Sequence, residues 1–361
     1  MATSGSYTTT PLTRIVWGPG SLSQLPELLD ALPHVSGSTS SDGPRRALIL
    51  TGNSLANKTD VIRRAEQALG PRHAATFTGI GEHAPVEGIK EAVRLMEQHG
   101  ATALVAIGGG SPIDAAKAVS FYIHRESAHA DNDDERSFVP IIAVPTTLSA
   151  AETTQNAGFK ENNKKTGVSH RSLVPRVLLL DGDVTRHTPE RLWLSTGMRA
   201  VDHSIELLYR PDVSPLLRGT WLMAMRELFT LLPLSKAQPD NVDVRQRLQL
   251  AAIASLWPES RKGALGLSHG LGHALGATYK IGHGITSCLT LGPAIQLTAA
   301  LPSTGAEQLL ALADARAFIP APFATPVPIG ATPSSLLQGK PDLDAARKQG
   351  KEVGEAVQKL V

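Results

Sequence analysis

Four short runs of continuously apolar residues, each stopped by glycine, proline or aspartate, constrain this chain more than any other feature. Ala47-Leu48-Ile49-Leu50-Thr51 ends at Gly52, and Ala103-Leu104-Val105-Ala106-Ile107 ends at Gly108-Gly109-Gly110. Val139 to Val144 stops at Pro145, and Val177 to Leu180 stops at Asp181. A strand with water on one face alternates apolar and polar residues, whereas a strand covered on both faces is apolar throughout. Helix-period segments such as Val86 to His99 lie between some of these runs. The sequence therefore predicts parallel strands joined by crossover helices, an α/β doubly wound sheet. Beyond about residue 185 the period changes. Arg191 to Tyr209, Pro215 to Leu232 and Val244 to Leu256 carry apolar residues three and four apart, which predicts helices. The expected organisation is an α/β domain over 1–184 and a helical domain over 185–361, which a chain of 361 residues is long enough to supply. The Ser/Gly-rich stretch His34–Arg46 reads as a surface loop. The prolines of Phe318–Pro341 argue against a packed helix, and a last helical pattern runs from Leu343 to Val361.

Composition narrows the function classes. With 35 basic against 33 acidic residues, a net charge of +2 and 4% aromatic residues, the chain offers neither a phosphate-tracking patch nor a stacking platform. Nucleic acid and membrane are excluded as partners on that reading. One cysteine, Cys288, leaves no disulfide framework and no multi-cysteine metal site. No stretch of about 20 apolar residues occurs, and no apolar leader core follows Met1, so a cytoplasmic location is expected.

Two places carry chemistry. Gly108-Gly109-Gly110-Ser111-Pro112 follows a predicted strand and opens a predicted helix, with Pro112 suited to the first helical turn. Without Cβ atoms, the turn lets backbone N–H groups approach a phosphate at a helix N-terminus. A tight strand-to-helix connection alone uses the same residues. Pro145-Thr146-Thr147 ends another strand, and in a parallel sheet both turns fall on one edge, which favours a nucleotide. The second place is a set of histidines. His269 and His273 stand four residues apart in an apolar Gly/Ala helix, and His283 follows ten residues later in the same expected stretch. Arg199 and His203 repeat the four-residue spacing. Any one of them suits a structural role; three within fifteen residues point to a site for a metal or for proton transfer.

In this order, Arg14 to Ser21 (RIVWGPGS), Gly108 to Val119 (GGGSPIDAAKAV), Pro145 to Thr147, Asp181 to Thr185, Gly197 to Glu206 (GMRAVDHSIE) and the His269/His273/His283 cluster resemble the iron-containing (group III) alcohol dehydrogenase family, of dehydroquinate synthase-like fold. The resemblance implies an N-terminal dinucleotide-binding domain, an all-helical C-terminal domain and NAD or NADP in the cleft between them. It places Gly109, Gly110, Ser111, Asp114, Thr146 and Thr147 at the cofactor phosphates and adds Lys165 on the cofactor side. In metal-dependent members an aspartate and three histidines hold Fe²⁺ or Zn²⁺; the histidines match His203, His269 and His283. His273 matches a histidine near the reacting end of the substrate. A homo-oligomer is also expected.

One departure changes the implied chemistry. Where metal-dependent members carry the ligand aspartate, this chain has Arg199, and Asp202 lies three residues further on. A guanidinium has no lone pair to give and stays protonated. Held about 4 Å from a divalent ion it would cost about 8 kcal/mol at an effective dielectric of about 20. The expectation is therefore no metal. The maleylacetate reductase branch, which works without that aspartate, resembles the chain further through Glu82-His83-Ala84-Pro85-Val86 and Lys164-Lys165-Thr166-Gly167. That branch implies reduction of an unsaturated or carbonyl-containing carboxylic acid by NAD(P)H, with Arg199 on the acid and His273, or another histidine of the cluster, giving the proton. The alternatives are a metal-dependent (Fe/Zn) alcohol dehydrogenase, or a non-redox lyase, cyclase or isomerase on the same fold in secondary metabolism. A Pro-rich stretch and one short helix after about residue 300 read either as a trimmed surface element or as a more open pocket than typical members have.

Overall fold

The computed structural model describes residues 7–33, 44–81, 84–127, 137–161, 164–210, 214–259, 265–326 and 341–361. Most of the 34–46 loop, Glu82 and His83, and most of the Pro-rich stretch lie outside the described residues. Two compact units result, Thr8–Thr188 with Pro258–Ser260, and Pro189–Trp257 and Arg261–Val361 with Met1–Tyr7.

The first unit is built on a six-stranded sheet. Its strands are β1 (Arg14–Trp17), β2 (Ala47–Leu50), β3 (His73–Phe77), β4 (Ala103–Gly108), β5 (Ile141–Pro145) and β8 (Val177–Leu180). They pair in the order β1-β8-β5-β4-β2-β3, every pairing parallel. All four apolar runs named above are strands at interior positions of this order. One pleat face carries Ile49, Val105, Ile107, Ile142, Val144 and Leu179. They pack with Leu25, Leu28 and Leu29 of α1 (Leu25–Asp30) and Val61, Ala65 and Leu69 of α3 (Val61–Leu69). Leu48, Leu50, Leu104 and Ala106 alternate with them and are equally buried. The helix α4 (Val86–His99) packs against β2 and β3, and α5 (Gly110–Glu126) against β2, β4 and β5. Each large side chain buried this way contributes about 1.5–3 kcal/mol. The edge strands β1 and β3 are half-exposed and carry no continuous apolar run, which is why hydrophobic pattern does not mark them as strands. Nor does it mark the antiparallel hairpin of β6 (Asn156–Glu161) and β7 (Lys164–Ser169). A short helix α2 (Asn53–Lys58) follows β2.

The second unit is helical: α6 (Glu190–Leu208), α7 (Pro215–Ala237), α8 (Val242–Ser255), α9 (Leu267–Tyr279), α10 (His283–Ala300), α11 (Ala306–Ala317) and α12 (Leu343–Leu360). Two expectations are corrected here. The histidines do not share one helix: Lys280 adopts a left-handed conformation (φ 56°) that ends α9, and Gly282 precedes a fresh start at His283. The region after residue 300 holds more than one short helix. In α11 and α12, Leu309, Ala313 and Ala346 form a small core of their own. Among the described residues no helix is long and apolar enough to cross a membrane.

Candidate active site

In the first unit β4 and β5 run in register to their ends, with Gly108 opposite Pro145. The two predicted turns therefore emerge side by side, joined by the Thr146 N–H donating to the Gly108 carbonyl at 2.9 Å. Gly108 has φ 144°, a conformation that L side chains rarely adopt. A Cβ on Gly109 would stand 3.1 Å from Thr147 Cγ2. The turn thus brings the backbone of Gly109 and Gly110 against the Thr147 and Ser149 hydroxyls, at the N-terminus of the 17-residue α5. Such a cradle fits a dinucleotide phosphate. The Asp114 carboxylate turns the other way, accepting from the Gly158 N–H at 3.2 Å and lying 3.6 Å from Lys117 Nζ. Lys165 lies in β7 opposite Lys160.

Behind the turn is a knot that sequence reading missed. The Lys117 ammonium is fully buried and donates to the Ala151 carbonyl (2.6 Å), Thr154 Oγ1 (3.1 Å) and the Asn156 carbonyl (2.9 Å). Burial lowers its pKa, opposed by Asp114 and Glu152. Burial pushes the neighbouring Glu152 carboxyl up to about 7, despite an opposing backbone hydrogen bond and the Lys117 charge.

In the second unit α6 carries Arg199, Asp202, His203 and Glu206 at spacings of three and four, a polar stripe on a helix that is otherwise largely buried. Glu206 Oε1 accepts from the Ser268 N–H (2.6 Å) and the Tyr209 hydroxyl (3.1 Å). Its Oε2 accepts from the His269 N–H (3.3 Å) and lies 2.6 Å from His269 Nδ1. An anion therefore caps α9 from outside, where the N-cap Gly266 has no side chain to do so. Asp202 Oδ1 lies 3.2 Å from the same Nδ1, while Oδ2 accepts from the hydroxyls of Ser287 (2.6 Å) and Ser268 (2.9 Å). Arg199 Nη1 donates to Ser287 Oγ at 3.3 Å and lies 3.8 Å from Asp202 Oδ2.

Charge follows from this packing. Burial alone would lower the His269 pKa, but its hydrogen bonds to Asp202 and Glu206 outweigh burial and raise it. Burial would raise Asp202, but His269, Arg199 and Ser287 hold it below the usual carboxylate range. Burial lowers the Arg199 pKa, against the pull of Asp202 and Glu206.

The four histidines fall into two pairs, His203 with His269 at 5.1 Å between ring centroids and His273 with His283 at 5.3 Å. His203 and His269 are buried, whereas His273 is exposed. With Nδ1 hydrogen-bonded to Glu206 and 3.2 Å from Asp202 Oδ1, His269 Nε2 is buried with no hydrogen-bond partner, as is Asp202 Oδ1 itself. An unmade polar group costs about 1–3 kcal/mol, so its persistence points to something absent that it would meet. Asp202, Glu206 and His269 have ligand atoms within 4.8 Å of one another; among the described residues, His203, His269 and His283 do not draw together as a set to that degree. Glu206, Ser268 and Ser287 are the members that sequence reading left out. The signal for Glu206 was present, since it continues the Arg199–His203 stripe by one further step of three.

Comparison with known proteins shows the family. The family model described as iron-containing alcohol dehydrogenase matches residues 12–182, and that of the C-terminal region of the Fe-containing alcohol dehydrogenase family matches residues 193–317. The dehydrogenase FUM7 of Gibberella moniliformis is 33% identical over 193 residues, 48% of this chain and 45% of its own. A maleylacetate reductase of Delftia acidovorans is 31% identical over 181 residues, 49% of this chain and 50% of its own. The chain spans about half the length of the curated relatives it matches. Among solved structures, sulfoacetaldehyde reductase from Bifidobacterium kashiwanohense in complex with NAD+ superposes with a TM-score of 0.76 at 19% identity, covering 99% of this chain and 86% of that one. Maleylacetate reductase from Agrobacterium tumefaciens gives 0.70 at 22% identity, covering 98% and 99%. At these identities the likeness shows the fold: a parallel-sheet domain and a helical domain in the dehydroquinate synthase-like arrangement.

Proposed function

Because this chain belongs to the iron-containing alcohol dehydrogenase family, we propose that it is an NAD(P)H-dependent reductase of an unsaturated or carbonyl-containing carboxylic acid, working without a resident metal like the maleylacetate reductase branch it resembles. The observation that carries the proposal is the company of Arg199. A permanent cation, mostly buried, shares one cluster with an imidazole whose Nε2 has no hydrogen-bond partner. Only Nη1 of its fork has a hydrogen bond recorded among the described residues, so the remaining N–H donors are available to a carboxylate.

The donor set argues against an ion. Glu206 already accepts four hydrogen bonds and Asp202 Oδ2 accepts two, so a metal bound through those oxygens would displace the donors they hold. Arg199 at 3.8 Å from Asp202 would add repulsion.

Gly109, Gly110, Ser111, Thr146 and Thr147 would hold the dinucleotide phosphates through backbone N–H groups and hydroxyls. Bound NAD(P)H would supply a hydride to the electrophilic carbon of the substrate. Arg199 binds the substrate carboxylate and steadies the negative charge that develops on the adjoining enolate oxygen. Glu206 and Asp202 fix the His269 ring, so that Nε2 meets the substrate in a single orientation. His273, exposed beside His283, gives a proton to the substrate as general acid, balancing the hydride.

The test is a pair of measurements on the purified chain. Arg199→Gln is expected to raise KM at least tenfold for an unsaturated keto-diacid while leaving KM for a neutral aldehyde unchanged; equal effects on both overturn the carboxylate role. A second reading rests on the 4.8 Å grouping of Asp202, Glu206 and His269, in which Asp202 Oδ1 and His269 Nε2 are buried without hydrogen-bond partners. One iron or zinc per chain in protein purified without chelator would establish that reading and end the metal-free one.

A further inference from the structure

Outside the site just described, the first unit holds an open cleft of about 550 Å³ that neither the glycine turn nor the histidines explain. Two segments line it. Asn57 to Arg64 spans the end of α2 and the start of α3, and Arg186-His187 follows β8. Both segments lead away from carboxyl ends of sheet strands, the edge at which ligands of parallel α/β sheets bind.

Its electrostatics are one-sided. Asp183 accepts from Arg64 Nη1 at 2.8 Å and pairs with Arg186 Nη2 at 2.7 Å, so one carboxylate holds two guanidiniums beside each other. Asp60 lies 4.0 Å from Arg64 and 3.7 Å from His187 Nε2. Asp181, behind Asp183, accepts from the backbone N–H groups of Gly20, Leu22 and Asp183 and is buried away from the cleft. Lys58 and Arg63 are exposed in the lining, and no ion pair is recorded for either among the described residues. Four permanent cations therefore meet two carboxylates, an excess of two positive charges along this open cleft. Paired guanidiniums offer planar donors matched to phosphate oxygens.

We propose that this cleft binds a phosphate monoester dianion, whose two negative charges match the excess. The phosphate has two possible carriers, the 2′-phosphate of NADPH or a separate phosphorylated small molecule. The NADPH arm rests on the proposed nucleotide function; the other arm does not. Gly52, after β2, carries no acidic side chain to repel a 2′-phosphate, and Asn53 beside it is joined to Asn57 of the cleft by a side-chain hydrogen bond at 2.5 Å.

The experiment compares the full chain with the Lys58→Gln/Arg63→Gln double variant, titrating inorganic phosphate at low ionic strength with NADH saturating, so that the glycine turn is filled. A Lys236→Gln/Lys351→Gln variant, with the same loss of charge elsewhere, is the control. Phosphate affinity is expected to fall at least tenfold in the cleft variant and to stay unchanged in the control, with NADH affinity equal in all three. If NADPH affinity falls with it, the carrier is the cofactor; if it does not, the carrier is a separate ligand. Equal phosphate affinity in the cleft variant and the full chain, or a matching fall in the control, overturns the proposal. Failure of NADH to bind breaks the nucleotide reading alone, and the phosphate titration is then read without it.

Discussion

Each unit of the molecule buries a charged cluster, and the two treat their charges differently. Around Lys117 the three ammonium donors meet three oxygens, and burial lifts the adjacent Glu152 to about 7, so that its carboxyl is partly protonated near neutrality. Around His269 one ring nitrogen is gripped by two carboxylates while the other meets nothing. The first arrangement uses every Lys117 donor, leaving Glu152 Oε2 without a partner, and pins the Ala151–Thr153 turn, the β6–β7 hairpin and α5 together behind the glycine turn. The second is complete only on one side. A buried cation with all its donors used specifies structure, whereas a cluster that keeps His269 Nε2 and Asp202 Oδ1 without hydrogen-bond partners has the form of a site.

The largest effect is expected on the closed side. Lys117→Met removes three hydrogen bonds and leaves Asp114 and Glu152 uncompensated, and urea denaturation should show a loss of about 3–5 kcal/mol. A loss below about 1 kcal/mol would show that the knot does not hold the turn.

On the open side, Glu206→Gln keeps an acceptor near the Ser268 N–H but removes the charge that orients His269. The expected result is a tenfold to hundredfold fall in kcat with the NADH dissociation constant unchanged, the magnitude usual for partners that orient a site histidine. Parallel changes in both would make Glu206 merely structural. Glu206 acts through His269, so it is a positioning residue.

A third comparison uses pH. The folded pKa of Glu152 is raised from 4.5 to about 7, so its contribution to stability is complete below the unfolded value and is lost as pH rises through about 7. Relative to Glu152→Gln, the native chain should lose about 2 kcal/mol between about pH 5.5 and 8.5. A constant difference in unfolding free energy between the two proteins across that range would sink the claim.

The smallest effect belongs to Ser287→Ala, which removes one hydroxyl between Asp202 and Arg199. About 1 kcal/mol of stability should go, with kcat changed less than in Glu206→Gln.

Much of this was legible in the chain itself. The interior strands, the helix Val86–His99, the two turns and the pairing of Arg199 with His203 along a helix all follow from local period and punctuation. The edge strands β1 and β3 were not, because half-exposed strands lack a continuous apolar run. The break between α9 and α10 was not, because the left-handed residue that makes it is Lys280 and not a glycine.

The amino-acid order by itself determined which stretches become strands or helices and which side chains share a helix face, since those depend on neighbours a few positions away. Which partner each buried charge finds was decided only by folding: Glu206 meets His269 across 63 positions, and Lys117 meets Ala151 across 34. Periodicity records the direction a side chain leaves its own backbone, and only the packed chain brings up the group it will meet.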